Sequence, residues 1–196
     1  MFTGIIECKG RIVEIKKDNS NYIFTVNSDI GLELKIDQSV AHDGVCLTVI
    51  EIESNKHKVV AIQETIDKTS LAEWEIDKEI NIERCMQMNG RLDGHIVQGH
   101  VDGTAKLNSI ENNNGSWKFL FELTEPEKFN HLMVEKGSIC INGVSLTLVS
   151  AITNKFSVAI IPYTFEHTNF CKLQTGNTVN IEFDIIGKYV QKMMNK

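Results

Sequence analysis

The sequence predicts an all-β protein made of two similar small barrels followed by a C-terminal helix. Three observations carry this. The chain repeats itself, its apolar residues alternate with polar ones in short runs, and its last segment changes to a helical period. When the 196 residues are slid by 99 positions, 39–85 fall on 138–184 without a gap. Ser39 meets Ser138, Gly44-Val45 meets Gly143-Val144, Leu47-Thr48 meets Leu146-Thr147, and Asn81-Ile82-Glu83 meets Asn180-Ile181-Glu182. Upstream the offset is 95, which lays Gly4 over Gly99. The change of offset places an insertion of about four residues at Asn112–Gly115 or at Glu125–Phe129. A unit of this size is too long for a solenoid repeat and long enough for its own core.

Taken in order, Tyr22–Val26, Val45–Val49, Lys58–Ile62 and Ile80–Glu83 alternate apolar and polar residues, as half-buried strands do. Connectors rich in Asn, Asp, Gly and Lys separate them, and Asn113-Asn114-Gly115 is a strong turn signal. Thr69–Trp74 and Glu125–Val134 are the candidates for short helices. Ile185–Asn195 carries Ile186, Val190, Met193 and Met194 at helical spacing. It has no counterpart after the first unit, so it is expected to serve assembly. The division is 1–96, 97–184 and 185–196.

Composition removes several classes. With 42% hydrophobic and 23% charged residues, 13 Gly and 2 Pro, the chain is neither disordered nor collagen-like. Its net charge of −6 is mixed along the chain, with no basic stripe for nucleic acid. No apolar run approaches the roughly 18 residues of a membrane span. The N-terminus lacks the basic start and long apolar core of a signal peptide. Five scattered cysteines without zinc spacing read as reduced thiols in a cytoplasm.

On the strand after Gly44, Val45, Leu47 and Val49 share one side, and Cys46 and Thr48 share the other. In the second unit Val144, Leu146 and Leu148 repeat the apolar side, and Ser145 and Thr147 the polar one. A small thiol or hydroxyl followed by a threonine suits hydrogen bonding to a flat heteroaromatic ligand. The linker Asn89–Gly103 holds four glycines and two histidines. Five apart, these histidines lack the spacing of a metal pair, so no metal is expected. His95 reads as a histidine bonded to backbone. His100, standing where the first unit has Ile5, is the more functional candidate.

MFTGIIE at 1–7, SVAHDGVCLTV at 39–49, GRLDGHIVQGHVDG at 90–103, NGVSLTLV at 142–149 and IPYTFEHTN at 161–169 together resemble riboflavin synthase of the duplicated lumazine-binding type. The resemblance covers essentially the whole chain. It implies two six-stranded Greek-key barrels, a homotrimer held by the C-terminal helices, and no metal or cofactor. It also raises contact with a lumazine synthase as a further association. The implied reaction is a dismutation of two 6,7-dimethyl-8-ribityllumazine molecules, in which a four-carbon unit passes from one to the other. The products are riboflavin and 5-amino-6-ribitylamino-uracil. The active site is implied to lie between the N-terminal barrel of one subunit and the C-terminal barrel of the next.

Carried over by motif, the first site takes Gly4, Ile5, Ile6, Cys46, Leu47, Thr48, Val60, Ala61, Ile62, Gln63, Glu64, Thr65, Gly99, His100 and Val101. The second takes Lys136, Ser145, Leu146, Thr147, Ala159, Ile160, Ile161, Pro162, Tyr163 and Thr164. The resemblance gives roles in the chemistry to Ser39, Cys46, His100, Ser145, Thr147 and Asp184. Of the matched pair Cys46 and Ser145, only the thiol ionises at about pH 8.5 when unperturbed, while a serine hydroxyl does not ionise in this range, so Cys46 is the candidate anionic nucleophile. The alternative is that it packs against the ring. Gln63 against Pro162, and Glu64 against Tyr163, break the repeat on what read as ligand-side strands. A non-catalytic lumazine-binding antenna protein shares the duplication but has lost its second binding set; here NGVSLT and IPYTFEHT persist.

Overall fold

A computed structural model describes residues 1–194. The first unit is a closed antiparallel barrel of β1 (Cys8–Asp18), β2 (Asn21–Ser28), β3 (Ser39–His42), β4 (Val45–Glu53), β5 (Lys56–Ala61) and β6 (Glu79–Arg84), adjacent in the order β1-β2-β5-β4-β3-β6. The second comprises β7 (Gly103–Asn112), β8 (Trp117–Leu123), β9 (Ser138–Ile141), β10 (Val144–Ile152), β11 (Lys155–Ile160) and β12 (Thr178–Phe183), closed with the same topology. Short helices α1 (Gln63–Lys68) and α3 (Pro162–His167) follow the fifth strand of each unit, and α2 (Pro126–Phe129) is found only in the second. The terminal helix α4 is Ile185–Met194; positions 195–196 of the expected helix lie outside the described residues.

The registers locate the insertion. Ile12 pairs with Val26 and Leu107 with Phe121, each just before a bulge, so both hairpin strands keep the offset of 95. The Asn113–Ser116 turn therefore adds nothing. The extra residues lie between Leu123 and Ser138, where Pro126 starts the four-residue α2. Of the two expected places, Glu125–Phe129 is the right one.

Each barrel closes on its own apolar interior. Phe24, Val26, Val59, Ile80 and Ile82 fill the first, and Phe119, Phe121, Phe156, Phe170 and Ile181 the second. The cores are not copies. At the positions of Ile141 and Phe156 the first barrel has His42 and His57, with Nε2 atoms 2.8 Å apart and both rings buried. His42 Nδ1 lies 3.0 Å from the Val40 carbonyl, which can only accept, so the proton sits there. His42 Nε2 then accepts from His57 Nε2–H, leaving the buried His57 Nδ1 lone pair without a partner among the described residues. Both rings are thus held neutral. Burial depresses His42 far below the usual histidine range and His57 to about 4.

The barrels meet about a pseudo-twofold of buried amides. Asn81 Nδ2 donates to the Asn142 carbonyl (2.8 Å), and Asn180 Nδ2 to the Asp43 carbonyl (2.9 Å). Asn169 N donates to Asn81 Oδ1 and Ser70 N to Asn180 Oδ1, both at 2.7 Å. At the centre Gly44 and Gly143 touch by backbone; a Cβ on Gly44 would stand 2.7 Å from Gly143 N.

Candidate active site

Two faces present the polar side of β4 and of β10, as the alternation predicts. Cys46 and Ser145 are half-buried, Thr48 and Thr147 are exposed, and Val45 and Val144 turn inward. Leu47, Ala61 and Ile160 were candidates for the faces, but their side chains point into the barrels, and Leu146 packs on the second core. Expected as ligand-side strand, Gln63–Thr65 and Pro162–Thr164 instead form the first turns of α1 and α3. The exposed residues just before each helix, Ile62 and Ile161, remain on the surface.

The segments leading into β1 and β7 are crossed. Gly4–Ile6 was expected at the Cys46 site, yet Ser145 N donates to the Gly4 carbonyl at 2.8 Å. A Cβ on Gly4 would stand 2.6 Å from Ser145 Cβ, and Ile6 packs on the second core. Conversely Cys46 N donates to the Gly99 carbonyl at 2.9 Å, and Val101 packs on the first core. Both glycines adopt positive φ, 77° and 78°, which keeps the backbone close to the opposite strand. Each face is therefore built from one unit's strand and the other unit's lead segment.

At the first face a cleft of about 260 Å³ is lined by Cys46, Glu64, Thr65, Lys68, Thr69 and Gly99–Val101, with the His100 side chain exposed at its rim. Ser39, opposite Thr48 in the register, reaches the Cys46 thiol. Burial pushes that thiol up, and the Ser39 hydrogen bond only partly offsets it. Burial therefore works against the thiolate form of Cys46 and favours its use as a neutral hydrogen-bonding group.

At the second face His95 is bonded to a side chain rather than to backbone. Its Nδ1 and Ser145 Oγ are 2.7 Å apart, and its buried Nε2 has no partner among the described residues. Burial pushes the imidazole down, while the Asp184 charge pulls it part of the way back. Asp184 also accepts from Ile186 N at the start of α4. Lys136 lies at the positive-φ turn before β9, where its N–H donates to the Leu148 carbonyl.

From the sequence His95 has only a structural role, and Phe2, Glu83 and Glu182 are not singled out. Phe2 is buried beneath the Gly99 loop and bridges to Val97. The two glutamates sit in the matched tripeptides 81–83 and 180–182, so the repeat itself was their signal.

Two closed barrels in one chain, each carrying a like polar face, define a duplicated small-ligand-binding protein. The family described as Lumazine binding domain matches residues 3–85 and again 98–184. The riboflavin synthase of Actinobacillus pleuropneumoniae is 39% identical over 198 residues, covering all of this chain and 91% of that protein. That of Bacillus subtilis (strain 168) is 38% identical over 197 residues with the same coverage, and that of Saccharomyces cerevisiae 34% over 210 residues, covering 99% and 86%. The chain belongs to the riboflavin synthase family, whose members are transferases. The solved structure of LumP complexed with riboflavin has the same fold, with a TM-score of 0.86 over 93% of this chain and 99% of that one, at 24% identity.

Proposed function

We propose that this protein makes riboflavin by dismutation of 6,7-dimethyl-8-ribityllumazine. Two substrate molecules exchange a four-carbon unit, leaving riboflavin and 5-amino-6-ribitylamino-uracil. The observation that carries the reading is the pair of like faces, one per barrel, each with its hydroxyl or thiol, threonine and crossed glycine segment. A reaction between two copies of one substrate needs two such faces. An antenna protein needs one, and the second face here keeps Ser145, Thr147 and Thr164.

The faces divide the chemistry. One substrate loses a proton from its 7-methyl group, and Ser145 bonded to neutral His95 is the pair equipped to take it. The other substrate is held at the first face by the Cys46 thiol, Ser39, Thr48 and His100, which donate or accept hydrogen bonds to the ring as charge develops. In this reading Val60, Ile62 and Thr65 serve the substrate at the first face, and Ile5, Ile6, Lys136, Ala159, Ile161 and Thr164 the substrate at the second. Stacking two rings supplies further acceleration by proximity.

In a single chain Ile5, Ile62, Ile161 and Tyr163 are exposed beside the faces, as is the apolar side of α4. A homotrimer in which the first barrel of one subunit meets the second barrel of the next would cover them. Residues 1–96 and 97–184 then act as the two ligand units, and 185–196 as the assembly element, in a cytoplasm that keeps the five thiols reduced. The test is to add 6,7-dimethyl-8-ribityllumazine to the purified protein and follow riboflavin absorbance. Riboflavin with the equimolar pyrimidine is the expected result. Tight binding without turnover would establish the antenna reading instead.

A further inference from the structure

Glu83 and Glu182 are 3% and 2% exposed and face no basic partner within salt-bridge distance among the described residues. Each carboxylate is instead surrounded by donors from a lead segment. Glu83 accepts from Thr3 N (2.7 Å), Thr3 Oγ1 (2.7 Å) and Gly4 N (3.0 Å). Glu182 accepts from Gln98 N (2.7 Å), Gly99 N (2.9 Å) and His100 N (3.0 Å). Three converging donors call for a group that only accepts. A glutamine would turn an NH₂ against one of them.

The same segments are gripped on their other side by the opposite unit. The Gly4 carbonyl accepts from Ser145 N and the Gly99 carbonyl from Cys46 N. Each lead segment is therefore clamped between a carboxylate of its own barrel and the ligand face of the other. We infer that Glu83 and Glu182 are paired positioning residues, each setting the ligand face of the barrel to which it does not belong. Glu182, on β12, fixes His100 over the Cys46 face, and Glu83, on β6, fixes Ile5 over the Ser145 face. This goes beyond the proposed reaction and rests on it only for the choice of probe.

The prediction is a crossed one. In the full-length protein, ¹³C-methyl riboflavin should give one bound signal per face, assigned with Thr48→Val and Thr147→Val. Glu182→Gln should weaken the first-face signal by roughly ten- to a hundredfold, the range for hydrogen bonds to a charged group, and leave the second within about twofold. Glu83→Gln should do the reverse. Hydrogen exchange should show Gln98–His100 losing protection in the first variant and Thr3–Ile5 in the second. Should Glu182→Gln not fold, Glu182→Asp keeps the charge one methylene short and must give the same crossed pattern at smaller size. Equal loss at both faces, loss at the variant's own barrel, or no loss would overturn the inference. If the wild type binds no riboflavin at all, the lumazine reading fails. Hydrogen exchange then decides the positioning role alone, and protection lost throughout the barrel overturns it.

Discussion

At the scale of single residues, the two faces are alike in shape and unlike in proton chemistry. Burial pushes the Cys46 thiol up, away from ionisation, and a serine hydroxyl can make the same hydrogen bonds. We therefore expect Cys46→Ser to hold kcat within about tenfold, whereas His95→Gln should lower it by about 10²–10⁴, the span of general acid–base catalysis, with KM little changed. Steady-state kinetics on both variants checks this, and a thousandfold loss in Cys46→Ser would restore the thiolate mechanism. Asp43 is a further asymmetric residue, standing where the second unit has Asn142. Fully buried, its carboxyl is pushed up to about 7, and hydrogen bonding from Asn81 N only partly resists this. Its folded pKa lies above the unfolded value, so its contribution is complete below about pH 4 and is lost as pH rises through 7. Asp43→Asn keeps an acceptor for Asn81 N and Asn169 Nδ2. It should stabilise the protein by ~4 kcal/mol at pH 8 and by little at pH 4, as read from urea melts at the two values.

At the scale of elements, β3 and β5 of the first barrel carry a liability that β9 and β11 of the second lack. His42 and His57 fold neutral, and their depressed pKa values mean that the unfolded chain binds more protons below the ordinary histidine range. Stability from this pair is present above about pH 6.5 and falls away as pH drops toward 4, the direction opposite to Asp43. The double substitution His42→Ile with His57→Phe copies the second barrel. Against it, the wild type should lose up to ~1.4 kcal/mol per pH unit per ring across that window. A pH-independent difference would remove the pair as the cause. These elements also show what the sequence could tell. The strands, their inward faces and the duplication were legible because period and repeat are local signals. The helices α1 and α3 were not, because Ile62 and Ile161 extend the preceding strands and the six-residue helices that follow are too short to show a helical period. The crossing of the lead segments was invisible as well. Gly4 and Gly99 announce positive φ, but which barrel they approach is decided by Ser145 N and Cys46 N, far away in the chain. At the C-terminus, α4 packs by Lys188, which pairs with Asp102 at 2.5 Å, and leaves Ile186, Tyr189, Val190 and Met193 exposed. Truncation after Gly187 should lower the sedimentation coefficient and activity together while the far-ultraviolet spectrum stays that of folded barrels. An unchanged coefficient would take assembly away from this helix.

At the scale of the whole molecule, the crossing makes neither barrel self-sufficient. A fragment of residues 1–97 keeps the first core, the Phe2–Val97 bridge and Glu83, and so keeps what closes its barrel. It loses the Gly99 carbonyl over Cys46 N, Val101 on the core edge, and the Asn142, Asn169 and Asn180 partners of Asn81, Asp43 and Ser70. Buried polar groups left unpartnered cost about 1–3 kcal/mol each, which favours any route that satisfies them. The pseudo-twofold supplies one. A second copy of the fragment can place its own Gly4 carbonyl on Cys46 N, as Gly4 meets Ser145 in the intact chain, and its Asp43 carbonyl on Asn81 Nδ2, as Asp43 meets Asn180. Ser70 replaces Asn169 in this arrangement and lacks the side-chain amide that reaches Asp43, so the copy is a weaker partner. The fragment should therefore fold, self-associate as a dimer that dissociates on dilution, and bind riboflavin with an affinity that falls as the dimer is lost. Its turnover should be far below that of the full chain, because the Ser145–His95 face is missing. Sedimentation equilibrium and riboflavin fluorescence over a hundredfold concentration range measure both. A monomer that binds riboflavin equally well at every concentration would show that the lead segment of a second unit is not needed to complete the face.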